Sequence, residues 1–446
     1  VRALSGDKGG ALLFHYFFSA MLSVYYNSLD FARQQDENDV LQNYRHRFLF
    51  PQRNERDVVY LTGNSLGLQP KSARGALEQE LSDWATLGVE GHFHAATPWW
   101  KYHEAVQEPL ARIVGALPHE VVAMNSLTVN IHLLLATFYQ PAQTGRNLII
   151  CEAGAFPSDD YALETHVKMR GIDPAEAIIE VAPREGEWTI RQEDILAAIR
   201  AAGRRLALVM FGGVQYYTGQ AFDMKSIAFA AHNVGAFACF DLAHAAGNIP
   251  LRLHDWNVDA AAWCSYKYLN SSPGGVAGVF IHEKHALNKE LPRLAGWWGN
   301  DEEERFAMKK GFRPALGAKA WQLSNAPAAL MAIHRAALEI FDDAGGMEVL
   351  RAKSEALTGF MEFVVRDVAG AAVKIITPSA PEERGAQLSL YFEKRGRAVF
   401  DALMARGVIV DWREPNVIRA APAPLYNSFE DVWRFGEALK AALAAV

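Results

Sequence analysis

Alternation is the feature that most restricts what this chain can fold into. Short uncharged apolar runs at 147–151, 206–211, 236–240 and 260–264 are separated by stretches at 158–169, 192–202 and 224–233 whose apolar residues recur at three- and four-residue spacing. A strand buried on both faces reads as a continuous apolar run, and a helix of about 10 to 15 residues returns the chain to start the next one. The pattern predicts an α/β fold: a mostly parallel sheet with helices on both faces. Amphipathic helices are expected before it, over 76–87 and 102–117. Past residue 315 come long Ala-rich helices (326–341, 347–365), short runs at 372–376, 387–393 and 408–411, and a closing helix from Ser428, which predicts a smaller α+β C-terminal domain. The expected layout is an N-terminal segment over 27–95 packing back on the small domain, a large domain over 96–315, and a small domain over 316–446.

Composition narrows the partners. Half of the 446 residues are hydrophobic and the formal charge is -7. That excludes a disordered or fibrous chain and leaves no broad basic surface for nucleic acid. A small-molecule partner is expected. Cys151, Cys239 and Cys264 are isolated within apolar runs, so neither a disulfide framework nor a zinc knuckle is legible, in keeping with a reduced cytoplasmic protein. Two long stretches carry almost no charge. The stretch 121–145 contains Asn125, Asn130, His132, Gln140 and Pro141, too polar for a lipid-facing helix of about 20 residues. The stretch 11–29 resembles a signal-peptide core without a cleavage site, and residues 1–26 are expected to be an extension, with initiation near Met21. No membrane association is expected.

Ligands of parallel sheets sit beyond the carboxyl ends of the strands. Asp241 follows one apolar run and Lys267 another, 26 residues apart. This pair suits pyridoxal 5'-phosphate: the amine forms a Schiff base with the aldehyde and the carboxylate keeps the ring nitrogen protonated. Singly, Asp241 also reads as a helix cap and Lys267 as a surface lysine. Residues 126–130 open a helix whose amides and hydroxyls could seat a phosphate, or simply cap it. Phe156 could stack on a pyridine ring with Asp159 nearby, or plug a core. His94, His254 and the pair Trp99–Trp100 lack metal spacing and read as packing or hydrogen-bonding residues, and 274–278 reads as a turn before a strand rather than a dinucleotide loop.

The motifs GNSLGLQP (63–70), LTVNIHLL (127–134), EAGAFPSDDYALE (152–164), YYTGQ (216–220), FDLAHAAGNI (240–249), HDWNVDAAAWCSYKYLN (254–270), GGVAGVFIHEKH (274–285), GWWG (296–299), QLSN (322–325) and APLYNSF (423–429) together resemble the kynureninase family. FDLAH and SYKYLN alone would indicate only a fold-type-I pyridoxal phosphate enzyme. The resemblance implies cleavage of L-kynurenine or 3-hydroxy-L-kynurenine to an anthranilate and L-alanine, within tryptophan catabolism. It implies that Lys267 binds the cofactor aldehyde, that Tyr266 contacts the phosphate and transfers protons, and that Asp241 pairs with the ring nitrogen. His244 would lie near the phosphate, Leu127 and Thr128 would seat it, and Phe156 would stack on the ring with Asp159 close by. Arg419 would hold the substrate carboxylate, and Ser65 and His92 would line its aryl end. Trp297 and Asn325 would reach the site across a homodimer interface. His92 and Asn325 also resemble the pair that accompanies preference for the 3-hydroxylated substrate. Two positions depart from the pattern: Gly212, where a serine contacting the cofactor is common, and Asn300, where histidine is usual. A transaminase or cysteine desulfurase of the same fold, or a catalytically silent binding protein, are the competing expectations.

Overall fold

The computed structural model describes residues 24–446. Seven strands form the main sheet: β1 (Val121–Ala123), β2 (Leu148–Glu152), β3 (Ile178–Val181), β4 (Leu206–Gly212), β5 (Phe237–Asp241), β6 (Ala260–Trp263) and β7 (Gly278–Ile281). Their order is β1-β7-β6-β5-β4-β2-β3, and only β7 runs antiparallel to its neighbours. β2, β5 and β6 are almost wholly buried, as their uninterrupted apolar runs require. Register aligns Asp241 with Gly212 on one side and Ala262 on the other. Three neighbouring parallel strands therefore end together on Glu152, Gly212 and Asp241.

Five helices matter to the site: α1 (Leu29–Glu37), α2 (Ser72–Leu87), α3 (Leu127–Phe138), α4 (Pro157–Met169) and α5 (Phe429–Ala445). A second core gathers Ala32 from α1, Val59, Leu61, Leu357, Leu388, Ile418 and Phe435. The segment after α1 is thus folded into the C-terminal core, and Val59–Tyr60 pairs in parallel with Val408–Ile409. The small sheet comprises β8 (Lys374–Ile375), β9 (Leu388–Tyr391), β10 (Asp411–Arg413) and β11 (Val417–Ala420), in the order β8-β9-β11-β10. The run expected as one strand at 408–411 is corrected here: it splits, its first half pairing with the N-terminal segment and its end joining β10. The stretch 121–145 divides into β1 and the 12-residue α3. Among the described residues no helix is long and apolar enough to cross a membrane, and the expectation for 11–29 falls largely outside them.

At the amino ends of the strands lies the reason for two of the sequence motifs. Asp259, buried just before β6, accepts hydrogen bonds from the Ala238 amide, His232 and His285, each at 2.7 Å, and pairs with Lys284 at 2.8 Å. Glu120 accepts from His254 at 3.0 Å and from the Leu117 and Glu283 amides. His254 is therefore a hydrogen-bonding residue, Trp99 donates to Glu80, and exposed His94 pairs with Glu90. Burial alone would raise the Asp259 carboxyl, but the hydrogen bonds from His232 and His285 and the charge of Lys284 outweigh it and hold the group far below the carboxylate range. A depressed pKa contributes stability above the unfolded value of 3.8 that is lost as pH falls through the folded one. Asp259→Asn should cost about 3–5 kcal/mol in urea unfolding at pH 7, because it removes the buried carboxylate that His232, His285, Lys284 and the Ala238 amide share. The gap to the wild type should narrow only below about pH 4.

Candidate active site

A cleft of about 360 Å³ opens at the carboxyl edge of the sheet, between the strand ends and the small core. Its walls include Ser65, Leu127, Thr128, Phe156, Asp159, Gly212, Asp241, His244, Tyr266, Lys267 and Arg419. Eleven residues singled out from the sequence thus meet in one place. Ser126, read with Leu127 and Thr128 as part of a phosphate seat, lines it too, and Asn64, Glu152, Ser158, Tyr216 and Arg413 join them without having been anticipated.

The lysine stands four residues beyond the end of β6. Its Nζ lies 3.0 Å from Nε2 of His244 and 5.8 Å from the centre of the Phe156 ring. Burial, then the cations Lys267, Arg419 and Arg413, hold the His244 pKa well below its ordinary value. The imidazole is neutral, so Nε2 accepts a hydrogen bond from the amine. The turn carrying Lys267 is braced from the N-terminal segment, where the Gly67 amide donates to the Tyr266 carbonyl at 2.8 Å. A Cβ on Gly67 would fall 2.4 Å from the Lys267 carbonyl oxygen, so only glycine allows this approach. Burial, and then contact with Cys264, raises the Tyr266 pKa; its hydroxyl is a proton donor at neutral pH.

Three carboxyl groups crowd the opposite wall. Asp241 accepts from the Ala243 amide at 2.7 Å, and Glu152 takes the Gly212 amide with both oxygens, at 3.0 and 3.1 Å. A Cβ at Gly212 would lie 2.9 Å from Glu152 Oε1, so the glycine makes room for this carboxylate where a serine would press on it. Burial raises the pKa of Asp159, and the neighbouring Asp241 raises it further. Asp241 is also raised by burial, though less free to hold the proton because Asp159 donates to it. Burial and the neighbouring carboxylate favour the protonated form of Asp159 over that of Asp241, and Asp159 Oδ1 has no hydrogen-bond partner among the described residues.

The third element is the start of α3. Ser126 occupies the N-cap with no side-chain cap bond, and Thr128 Oγ1 lies 2.7 Å from Ser158 Oγ at the start of α4. Hydroxyls and first-turn amides at a helix N-terminus form an anion seat. A phosphate seat, a buried carboxylate pair with no direct ion-pair partner among the described residues, a lysine amine and an aromatic face fit pyridoxal phosphate. On the remaining wall Arg419, from β11, is 1% exposed. It donates to the Tyr216 carbonyl at 2.7 Å and pairs with Asp411, while its Nε has no partner.

Three expected site residues lie elsewhere in this chain. His92 donates from Nδ1 to the Val89 carbonyl at 3.0 Å and sets its ring against Trp99. Trp297 donates to the Arg305 carbonyl and packs against Phe306, which also touches Phe93 and Trp100. Asn325 lies beside Ser324. None of the three lines the cleft.

Comparison with known proteins agrees with this arrangement. The family model for the kynureninase C-terminal domain matches residues 350–439. The kynureninase of Flavobacterium psychrophilum is 53% identical over 420 residues, covering 94% of this chain and 98% of that protein. The chain belongs to the kynureninase family. The kynureninase of Myxococcus xanthus is likewise 53% identical, over 418 residues and the same shares of the two chains. The fold extends further than the family. The Escherichia coli cysteine desulfurase CsdA superposes with a TM-score of 0.74 at 18% identity, covering 91% of this chain and 99% of that one. C-DES, solved with glycine covalently linked to its PLP cofactor, gives 0.73 at 18% identity, covering 89% and 98%. These likenesses bear out the expected α/β fold.

The buried Glu152 generates a pH prediction. Burial, and then nearby Asp241, raise its pKa to about 7 against the restraint of the Gly212 amide. A raised carboxyl contributes stability that is present below the unfolded pKa of 4.5 and is lost as pH rises through the folded one. Ligand-free protein should therefore unfold at higher urea at pH 5 than at pH 8. Glu152→Gln, which keeps an acceptor for the Gly212 amide, should reduce that difference; an unchanged difference would show that Glu152 is ionised throughout.

Proposed function

We propose that this protein hydrolyses the Cβ–Cγ bond of L-kynurenine and 3-hydroxy-L-kynurenine, releasing L-alanine and an anthranilate, with pyridoxal 5'-phosphate as cofactor. The observation that carries the reading is the convergence of Lys267, Asp241 and Arg419 on one cleft in a chain of the kynureninase family. When bound, the cofactor supplies an electron sink conjugated to the substrate. Leu127, Thr128, Ser126 and Ser158 would hold its phosphate, Phe156 would cover one ring face, and Asp241, supported by Asp159, would keep a proton on the ring nitrogen. Gly212 and its amide keep Glu152 in place behind them. Lys267 takes the proton from Cα, and neutral His244 orients the amine through Nε2. Tyr266 gives and takes protons as water adds to the γ-carbonyl, a role worth about 10²- to 10⁴-fold in rate for a positioned acid–base group. Arg419 grips the substrate carboxylate with a guanidinium fork, which lysine could not reproduce. A desulfurase needs an accessible cysteine, and Cys151, Cys239 and Cys264 are all buried.

The working unit in this reading is a homodimer with shared sites. Support comes from the exposed aromatic surface formed by Phe93, Trp297 and Phe306, 48%, 42% and 51% exposed, which joins the region of His92 to that of Trp297. In a dimer this surface would carry Trp297, Asn325 and His92 to the cleft of the second subunit. The division of the chain at about residues 95 and 315, between segments that hold the substrate and a domain that holds the cofactor, is part of the same proposal. Lys267→Ala should abolish the visible cofactor–lysine absorbance and turnover while leaving the melting temperature near that of the wild-type protein without cofactor. Mixed with inactive Trp297→Ala subunits, it should regain activity in hybrids; no recovery after verified subunit exchange counts against shared sites.

We propose also that 3-hydroxykynurenine is the preferred substrate. Because Nδ1 of His92 donates to a carbonyl, which only accepts, the Nε2 of the neutral ring is an acceptor for a phenolic O–H. A pocket whose polar groups expect a partner penalises the analogue that lacks it. kcat/KM for 3-hydroxykynurenine should exceed that for kynurenine by about tenfold, the worth of one such hydrogen bond. His92→Trp with Asn325→Thr should reverse the order, and equal constants in the unmodified enzyme would show that these residues do not read the hydroxyl.

A further inference from the structure

The wall that holds Arg419 contains a second arginine, and one carboxylate serves both. Asp411 and Arg419 are direct cross-strand partners in the antiparallel pair of β10 with β11. Residues two apart on a strand share a face, so Arg413 projects to the same side as Asp411. Arg413 forms an ion pair with Asp411 Oδ2 at 3.1 Å, and Arg419 pairs with the same oxygen. Both guanidinium carbons lie about 6 Å from the Tyr216 ring centre, at 6.0 and 5.9 Å. The Nε of each is buried without a hydrogen-bond partner among the described residues. The group is thus two cations and one anion, held together by sheet register on the wall of the cleft.

We propose that Asp411 is a positioning residue that locks Arg419 and Arg413 into one carboxylate receptor with a single net positive charge. The inference rests on the reading of Arg419 as the group that binds the substrate carboxylate. Register places Asp411 behind the guanidinium; its oxygen fixes one donor of Arg419, the Tyr216 carbonyl fixes another, and the remaining donors are left directed at the ligand. Arg413 shares the anion, so Asp411 does not fully neutralise Arg419. One carboxylate from an amino acid then completes the charge balance.

The opposing view is that charge alone attracts the carboxylate. The two differ in sign, since neutralising Asp411 makes the wall more positive while freeing Arg419 to turn. Isothermal titration of the holoenzyme with L-alanine, which carries the carboxylate, and 2-aminoacetophenone, which carries the aryl ketone without it, separates them. Asp411→Asn should weaken L-alanine about tenfold or more, the loss of one directed charged hydrogen bond, with 2-aminoacetophenone changed by less than about twofold. Asp411→Glu should recover part of the L-alanine affinity, and both variants should keep the far-ultraviolet dichroism of the wild type. L-alanine bound equally or more tightly by Asp411→Asn overturns the proposal, as does an equal loss for both ligands, which would mark Asp411 as purely structural. A wild-type holoenzyme that leaves kynurenine intact but shows the L-alanine shift overturns the substrate reading and supports the role of Asp411.

Discussion

Three carboxyl groups buried side by side at the carboxyl edge of the sheet govern the rest of the site. Parallel register brings the ends of β2, β4 and β5 level, and two of those ends are Glu152 and Asp241. Asp159 adds a third acid from the first turn of α4. In a water-poor setting such groups keep protons or find cations. Here one is anchored by an amide, burial pushes the carboxyls of the other two upward, and a lysine amine faces them across the cleft. Pyridoxal phosphate, when bound, would bring a protonated ring nitrogen to these acids, and the first turn of α3 would hold its phosphate.

The opposite end of the sheet solves a similar problem without ligands. Asp259 and Glu120 are buried too, but two histidines, Lys284 and an amide surround Asp259, and His254 and two amides surround Glu120. HDWNVD and HEKH, which contributed to the family resemblance, therefore supply the foundation beneath the strands, while the chemistry sits above. A distinctive motif need not mark a catalytic group.

Much of this was legible in the sequence because uninterrupted apolar runs leave little choice of strand, and the residue after each run falls at the ligand edge. That logic found Asp241 and Lys267. Applied consistently it would also have found Glu152, the acidic residue closing the run LIICE. Other elements were hidden for definable reasons. β1 is three residues long and merges in the sequence with the apolar α3, and β3 is short, with Glu180 exposed. β11 is broken in the sequence by Arg419, whose burial makes sense only with Asp411 opposite, a pairing that depends on a turn no periodicity reveals. Tyr216 and Arg413 come from loops and strand ends of different cores, so their meeting follows from tertiary packing alone.

The parallel pairing of Val59–Tyr60 with Val408–Ile409 has a mechanical meaning. It welds the loop carrying Asn64 and Ser65 to the sheet that carries Arg413 and Arg419, and Asn64 is tied further to Gln387. The cleft is thus a vice with a fixed jaw, the strand ends and α3, and a second jaw built from both ends of the chain. Gly67 is one point where the two jaws touch, its amide on the Tyr266 carbonyl beside Lys267, and Arg419 on the Tyr216 carbonyl is another. A change in how the second jaw seats would tighten or loosen the hold on the amino acid, and the cofactor's berth would stay as it was.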